Sequence, residues 1–204
     1  MLKNIAVLVS GGGTNLQACI DAEKSGIIKN GKIKLILSSK PDVYSLIRAK
    51  DNNIPAFVCN RKEAKDTKDF ETQLINKLDE YKIDIIVLAG FLSILSEDFV
   101  KRYSNRIINV HPSLIPSFCG KGFYGLKVHE AALEYGVKIS GATVHLVNEI
   151  PDGGEIILQK PVRVYKNDTP EKLQKRIMHQ AEHIILPKAV EIVCKELIKQ
   201  EVKQ

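Results

Sequence analysis

A chain of 204 residues with a formal charge of +6 can hold one domain with a sizeable core, and its apolar and charged fractions are those of an ordinary soluble globular protein. No apolar stretch approaches the ~20 residues that span a bilayer, and the opening MLKNIAVLVSGGG stops at glycines without a small-residue cleavage site, so neither a membrane partner nor a signal peptide is expected. The lysines are spread along the chain instead of forming a block, which argues against a nucleic-acid partner and leaves solubility or an anionic metabolite for the charge to serve.

The elements then follow in alternation. NIAVLV reads as a strand and TNLQACIDAEKSG as a helix; KIKLILSS and VYSLIRAKDNN repeat the pair, as do PAFVCN with FETQLINKLDEY and IDIIVLAG with SEDFVKRYSN, before the strand RIINVH. In the third helix Phe70, Leu74, Leu78 and Tyr81 recur at helical spacing, a stripe that packs on a sheet. Continuous apolar strands joined by helices imply a parallel sheet covered on both faces. After about residue 137 the pattern changes: KISGATVHLV and GEIILQKPVRV are joined by the short loop NEIPDG, an antiparallel pair added to the sheet. A long helix follows NDTPEKL, with Asp168 or Thr169 as N-cap and Pro170 in the first turn, and Pro187 is expected to interrupt or kink it. The expected fold is α/β and Rossmann-like: one domain over residues 1–204, a mostly parallel twisted sheet with helices on both faces and an antiparallel pair in its C-terminal half.

Two places carry candidate chemistry. VSGGGTN joins the first strand to the first helix, where glycines turn the backbone sharply and free helix amides attract an anion. It is no P-loop, since no Gly-Lys-Ser/Thr follows, and Leu16 stands where a dinucleotide fingerprint needs its third glycine. Either a phosphate outside any dinucleotide binds there, or the loop is a tight turn capped by Thr14. The second place is IINVHPSLIP. Alternation sends Asn109 and His111 to one side of the strand, and Pro112 keeps His111 extended. An amide and an imidazole so placed can stabilise an oxyanion and shuttle a proton; the plainer reading is a capped turn beside a satisfied polar residue. Asp152, in EIPDGGEI, is either an ordinary turn residue or the carboxylate that favours imidazolium. His145 either lines the core or joins the site.

NVHPSLIP, SGGGTN, LAGFLSIL and DGGEIILQ together, in order and over nearly the whole chain, resemble the phosphoribosylglycinamide formyltransferase family of folate-dependent formyltransferases. The glycine loop and the short length favour this family over methionyl-tRNA formyltransferases and formyltetrahydrofolate hydrolases. The resemblance implies transfer of a formyl group from 10-formyltetrahydrofolate, as co-substrate, to the amine of glycinamide ribonucleotide in purine synthesis. Asn109, protonated His111 and Asp152 would be catalytic. Gly13, Thr14 and Asn15 would hold the phosphate and Glu182 the ribose hydroxyls. Leu92, Ser93, Ile94 and Leu95 would meet the folate, together with Asn109, Asn148 and Asp152. An arginine that the family commonly offers near the third helix is missing, and Thr67 or Lys68 stands there, with Lys68 able to supply the charge. Ser93 replaces another family arginine and Cys119 a proline. No metal is expected, because His179 and His183 lack a third ligand. Cys19, Cys59, Cys119 and Cys194 show no paired spacing, as suits four free thiols in the cytoplasm. Monomer and homodimer both remain open, as do a hydrolase, another phosphorylated acceptor and a non-catalytic folate or nucleotide sensor.

Overall fold

The computed structural model describes residues 1–202 and contains seven strands in one sheet. The first half alternates β1 (Lys3–Val9), α1 (Thr14–Lys24), β2 (Gly31–Ser38), α2 (Tyr44–Asp51), β3 (Ala56–Val58), α3 (Thr67–Glu80), β4 (Ile85–Leu88), α4 (Glu97–Arg102) and β5 (Ile107–His111). The second half adds α5 (Leu126–Tyr135), β6 (Ile139–Leu146), β7 (Ile156–Arg163), α6 (Pro170–Ile177) and α7 (His183–Val202). The sheet order is β3-β2-β1-β4-β5-β6-β7. The first five strands are parallel, β6 runs antiparallel to β5, and β7 antiparallel to β6. The parallel sheet and its antiparallel addition are as expected.

Alternation along the strands sorts the core into two layers. Ile5, Val7, Ile85, Val87, Ile108 and Val110 face α1, α5, α6 and α7, while Ala6, Leu8, Ile86, Leu88 and Ile107 face α3 and α4. Strands buried on both faces need unbroken apolar runs, and β1 and β4 have them. In α3 the stripe of Phe70, Leu74 and Leu78 is buried against the second layer, and Tyr81, the C-cap, packs at its margin. Asn109 and His111 continue the face of Ile107, beyond the ground that α3 and α4 cover.

Three local features sharpen or depart from the sequence reading. Helix α5 was not anticipated; it lies between Gly125 and Gly136, with Val128 and Ala132 buried one turn apart. Thr169 alone caps α6, its side chain accepting from Lys172 N, whereas Asp168 is bound by both Arg176 Nη1 (2.6 Å) and Nη2 (2.5 Å). The C-terminal helix runs on through Pro187 instead of stopping there. Its irregularity is a π turn, Met178–Glu182, just before the proline, which sets Glu182 inward.

His129 of α5 is wholly buried and neither ring nitrogen has a hydrogen-bond partner. Burial, and secondarily the charge of His111, lowers its pKa to about 4. The unfolded chain therefore binds a proton between pH 6.5 and about 4 that the folded chain refuses, so stability falls as pH drops through that window. The loss is on the order of 3 kcal/mol. His129→Leu should flatten the pH dependence of urea unfolding over that range by about this amount, and an unchanged slope would contradict the assignment.

Candidate active site

Leu8, Leu88 and Asn109 are register partners across β1, β4 and β5. Ser10, at the mouth of the glycine loop, therefore stands level with His111, two strand spacings or about 10 Å away. Between them the segment after β4, residues 91–95, crosses the same edge. Ser10 Oγ receives Leu92 N (2.9 Å) and lies 2.6 Å from Ser39 Oγ, tying the ends of β1 and β2 to that segment.

The chemical end gathers four side chains from three chain segments. Asn109 and His111 come from β5, and His145 is the register partner of Asn109 on β6. The β6–β7 connection folds back over them and delivers Asp152, whose φ is 56°. Asp152 Oδ2 accepts from Gly120 N at 2.8 Å and lies 3.5 Å from His111 Nδ1; Oδ1 lies 3.5 Å from His145 Nε2 and 3.4 Å from Asn109 Nδ2. His145 Nδ1 donates to Leu146 O (2.8 Å), which leaves Nε2 to accept from Asn109 Nδ2 at 3.2 Å. That bond turns the Asn109 amide so that its second Nδ2 hydrogen points along the long contact to Asp152.

His111 is 5% exposed. Its Nε2 donates to Phe118 O at 2.9 Å, because a carbonyl can only accept. Burial lowers the His111 pKa; the Asp152 carboxylate and the Phe118 bond pull it up without overcoming that loss. The resemblance implied a His111 that is already protonated, and the buried ring instead favours the neutral form. For Asp152, burial pushes the carboxyl up, but the contact with His145, the hydrogen bond from Gly120 N and the positive charge that His111 and His145 gain on protonation hold it below the usual range. It stays ionised and ready to stabilise an imidazolium.

The loop that follows His111 is pinned by one buried hydroxyl. Thr143 Oγ1 donates to Ser113 O (2.6 Å) and accepts from Ile115 N (3.0 Å) and Gln159 Nε2 (3.0 Å).

At the other end, Gly13 takes φ 70° as N-cap of α1, which only glycine adopts without strain. Asn15 Nδ2 donates to Glu182 Oε2 at 2.6 Å, so these two predicted substrate contacts meet. Asn15 Oδ1 is buried without a partner, and burial raises the Glu182 pKa despite the Asn15 bond. Thr14 Oγ1 contacts Met178 Sδ at 3.3 Å. Beside it a cavity of about 620 Å³ is lined by Thr14, Arg48, His179, His183 and Lys188, among others. His179 and His183 thus share a cavity with Thr14 and Arg48, where the sequence offered them only as a metal pair; among the described residues no group of three or more His, Cys, Asp or Glu side chains could hold a metal.

Leu92 and Ile94 are exposed, as is Ile150 across the gap, which gives a flat apolar body something to lie on. Ser93 and Leu95 between and beyond them are half-buried. Asn148 braces the opposite loop, donating to Gly153 O (3.2 Å) and accepting from Ile150 N (3.0 Å). Lys68 is exposed in the first turn of α3. Arg61, which the sequence did not single out, is the cation on that wall: Nη2 donates to Thr67 Oγ1 (3.0 Å) and the guanidinium lies 5.5 Å from the Phe70 ring, itself stacked on Phe91. Glu71 was also missed. Its buried carboxylate accepts from Ser96 N and Ser96 Oγ, both at 2.6 Å, and so fixes the far end of residues 91–96.

An open α/β sheet that presents an amide, an imidazole and a carboxylate to one space, level with a glycine-rich turn at a helix N-terminus, is an architecture suited to a group-transfer enzyme acting at a carbonyl. The chain belongs to the formyl transferase family, whose model matches residues 3–190. It is 41% identical over 186 residues to the phosphoribosylglycinamide formyltransferase of Haemophilus influenzae, covering 91% of this chain and 84% of that one. Against the trifunctional purine biosynthetic protein adenosine-3 of Chironomus tentans it is 41% identical over 198 residues, 97% of this chain but 14% of that much longer protein. The crystal structure of glycinamide ribonucleotide transformylase 1 from Symbiobacterium toebii superposes with a TM-score of 0.89 at 37% identity, covering 96% of this chain and 89% of that one.

Glu71→Ala should free the segment it holds. Loss of two hydrogen bonds to a buried carboxylate should lower the unfolding free energy by about 2 kcal/mol and speed amide hydrogen exchange in residues 91–96. Unchanged exchange there would show that Glu71 does not anchor the segment.

Proposed function

We propose that the chain transfers the formyl group of 10-formyltetrahydrofolate to the amine of glycinamide ribonucleotide, giving N-formylglycinamide ribonucleotide and tetrahydrofolate in de novo purine biosynthesis. The observation that carries this reading is the meeting of Asn109, His111 and Asp152 level with the glycine loop and about 10 Å from it. An acceptor with a phosphate at one end and an amine at the other bridges that gap. The exposed Leu92 and Ile94 offer the pteridine a surface between the two ends.

In this reading Gly13, Thr14 and Asn15 hold the phosphate and Glu182 orients the ribose. His111 enters neutral. Once the ring leaves the Phe118 carbonyl, the Nε2 proton moves through water to Nδ1, where it faces Asp152 Oδ2, and the Nε2 lone pair so freed takes a proton from the attacking amine as the new C–N bond forms. The imidazolium is then held by Asp152, and the Asn109 Nδ2 hydrogen now aimed at Asp152 Oδ1 turns to the developing oxyanion. Collapse of the tetrahedral species breaks the bond to the folate nitrogen, and His111 returns the proton to that leaving nitrogen, directly or through a water. Both substrates are small and organic, and no step calls for a metal. Among the described residues no helix is long and apolar enough to cross a membrane, and the four cysteines are unpaired; both features suit the cytoplasmic setting that we assign.

The test is a spectrophotometric assay of 10-formyltetrahydrofolate consumption by the purified protein with and without glycinamide ribonucleotide. Consumption only in the presence of the ribonucleotide is expected. Consumption without it would make the chain a hydrolase, and none in either case would leave a binding module. Asn109→Ala and His111→Ala should each lower turnover by ~10²–10³ while the folded spectrum is kept. Near-normal turnover in either variant would remove that residue from the mechanism.

A further inference from the structure

The glycine loop is gripped from one side by α2, and we propose that Arg48, with the start of that helix, is the positioning device that turns the loop amides toward the substrate phosphate. The inference rests on the reading of residues 11–15 as the phosphate end of the site. Two carbonyls of the loop are held. Ser45 N, an amide in the first turn of α2 with no partner inside that helix, donates to Gly11 O at 3.2 Å. Arg48 Nε donates to Gly12 O at 2.9 Å.

In a trans peptide plane the carbonyl and the following N–H point in opposite directions. Drawing Gly11 O and Gly12 O toward α2 therefore aims the N–H groups of Gly12 and Gly13 away from it. The amides of Thr14 and Asn15 come next, and the first turn of α1 leaves them unpaired, since its first internal bond is Gln17 N to Gly13 O. Four successive donors thus face one side, a concave set suited to phosphate oxygens. Without the grip, a loop of three glycines could rotate either peptide plane at little cost.

The close packing falls on the residue after the two held carbonyls. A Cβ at Gly13 would stand 2.7 Å from Ser45 Cβ and 3.4 Å from Arg48 Cδ, whereas one at Gly11 or Gly12 would meet nothing within 4 Å. The loop is therefore pressed on α2 behind and open in front. Arg48 is itself held, with its guanidinium 4.9 Å over the Tyr44 ring and Nη1 donating to Gln17 Oε1 at 3.2 Å. A lysine would keep the charge, but it has no Nε–H fixed in a planar fork to hold the carbonyl while the rest of the group stacks and bonds elsewhere.

Arg48→Met and Arg48→Lys should each raise KM for glycinamide ribonucleotide about tenfold, with KM for 10-formyltetrahydrofolate unchanged within about twofold and kcat affected less than KM. The preference for the ribonucleotide over its unphosphorylated riboside, measured as the ratio of kcat/KM values, should fall by the same factor. General damage to the fold would instead lower both acceptors alike, and that outcome overturns the proposal. So does a wild-type KM in Arg48→Lys alongside a raised KM in Arg48→Met, which would make Arg48 a charge and not a positioning residue. The unmodified protein separates the two claims. No preference for the phosphorylated acceptor would sink the phosphate reading itself, whereas a strong preference untouched in both variants would sink only the role of Arg48.

Discussion

The chemical end of the site depends on one carboxylate held where a loop doubles back on the sheet. Asp152 reaches His111, His145 and Asn109 only because the β6–β7 connection folds tightly over its own strand. A side chain at Gly154 would strike the Leu146 carbonyl, and one at Gly153 would strike Ile150. Asp152 itself sits at φ 56°, a conformation that aspartate tolerates better than most residues. The carboxylate then joins four segments: β5 through Asn109 and His111, β6 through His145, the loop after β5 through Gly120 N, and its own turn. Its ionised state follows from that convergence, since hydrogen bonds and nearby imidazoles offset the burial that would otherwise neutralise it.

The two ends of the site are built differently, and the difference suits their tasks. At the glycine-loop end the groups proposed to bind the phosphate are backbone amides, so what matters in that reading is the direction of peptide planes, set by glycine and by α2, while the π turn brings Glu182 to Asn15. At the chemical end side chains do the work, so what matters is protonation state, set by burial and by Asp152. The sheet fixes the distance between them. Residues 91–95, hung between Ser10 and Glu71, complete the wall that both ends share.

Much of this was legible in the residues themselves. Period-two alternation placed Asn109 and His111 on one face, Pro112 followed the second at the strand end, and the glycine run marked a tight turn into a helix. The parallel sheet followed from unbroken apolar strands. Asp152 and Glu182 were harder, because a lone carboxylate in a Pro-Asp-Gly-Gly turn or on a helix means little until its partner is known, and those partners lie 41 and 167 positions away. Arg48, Arg61 and Glu71 were illegible for the same reason: each acts through a contact that only the fold creates, and His145 stood undecided between core and site until its contact with Asp152 was in view. Helix α5 was missed although Gly125 and Gly136 bound it and Val128 and Ala132 recur at helical spacing. The neutral state of His111 was hidden because the partner carboxylate argues for the charged form, while the burial that outweighs it is a property of the packed loop.

The measurement that bears most directly on Asp152 as organiser is an NMR titration of the His111 ring in the unmodified protein and in Asp152→Asn. Burial should place the His111 pKa below 6.5 in the unmodified protein, and loss of the carboxylate should move it lower still, since the remaining charge on the ring would have no counter-ion. A His111 pKa that stays where it is or rises when Asp152 loses its charge would contradict the account.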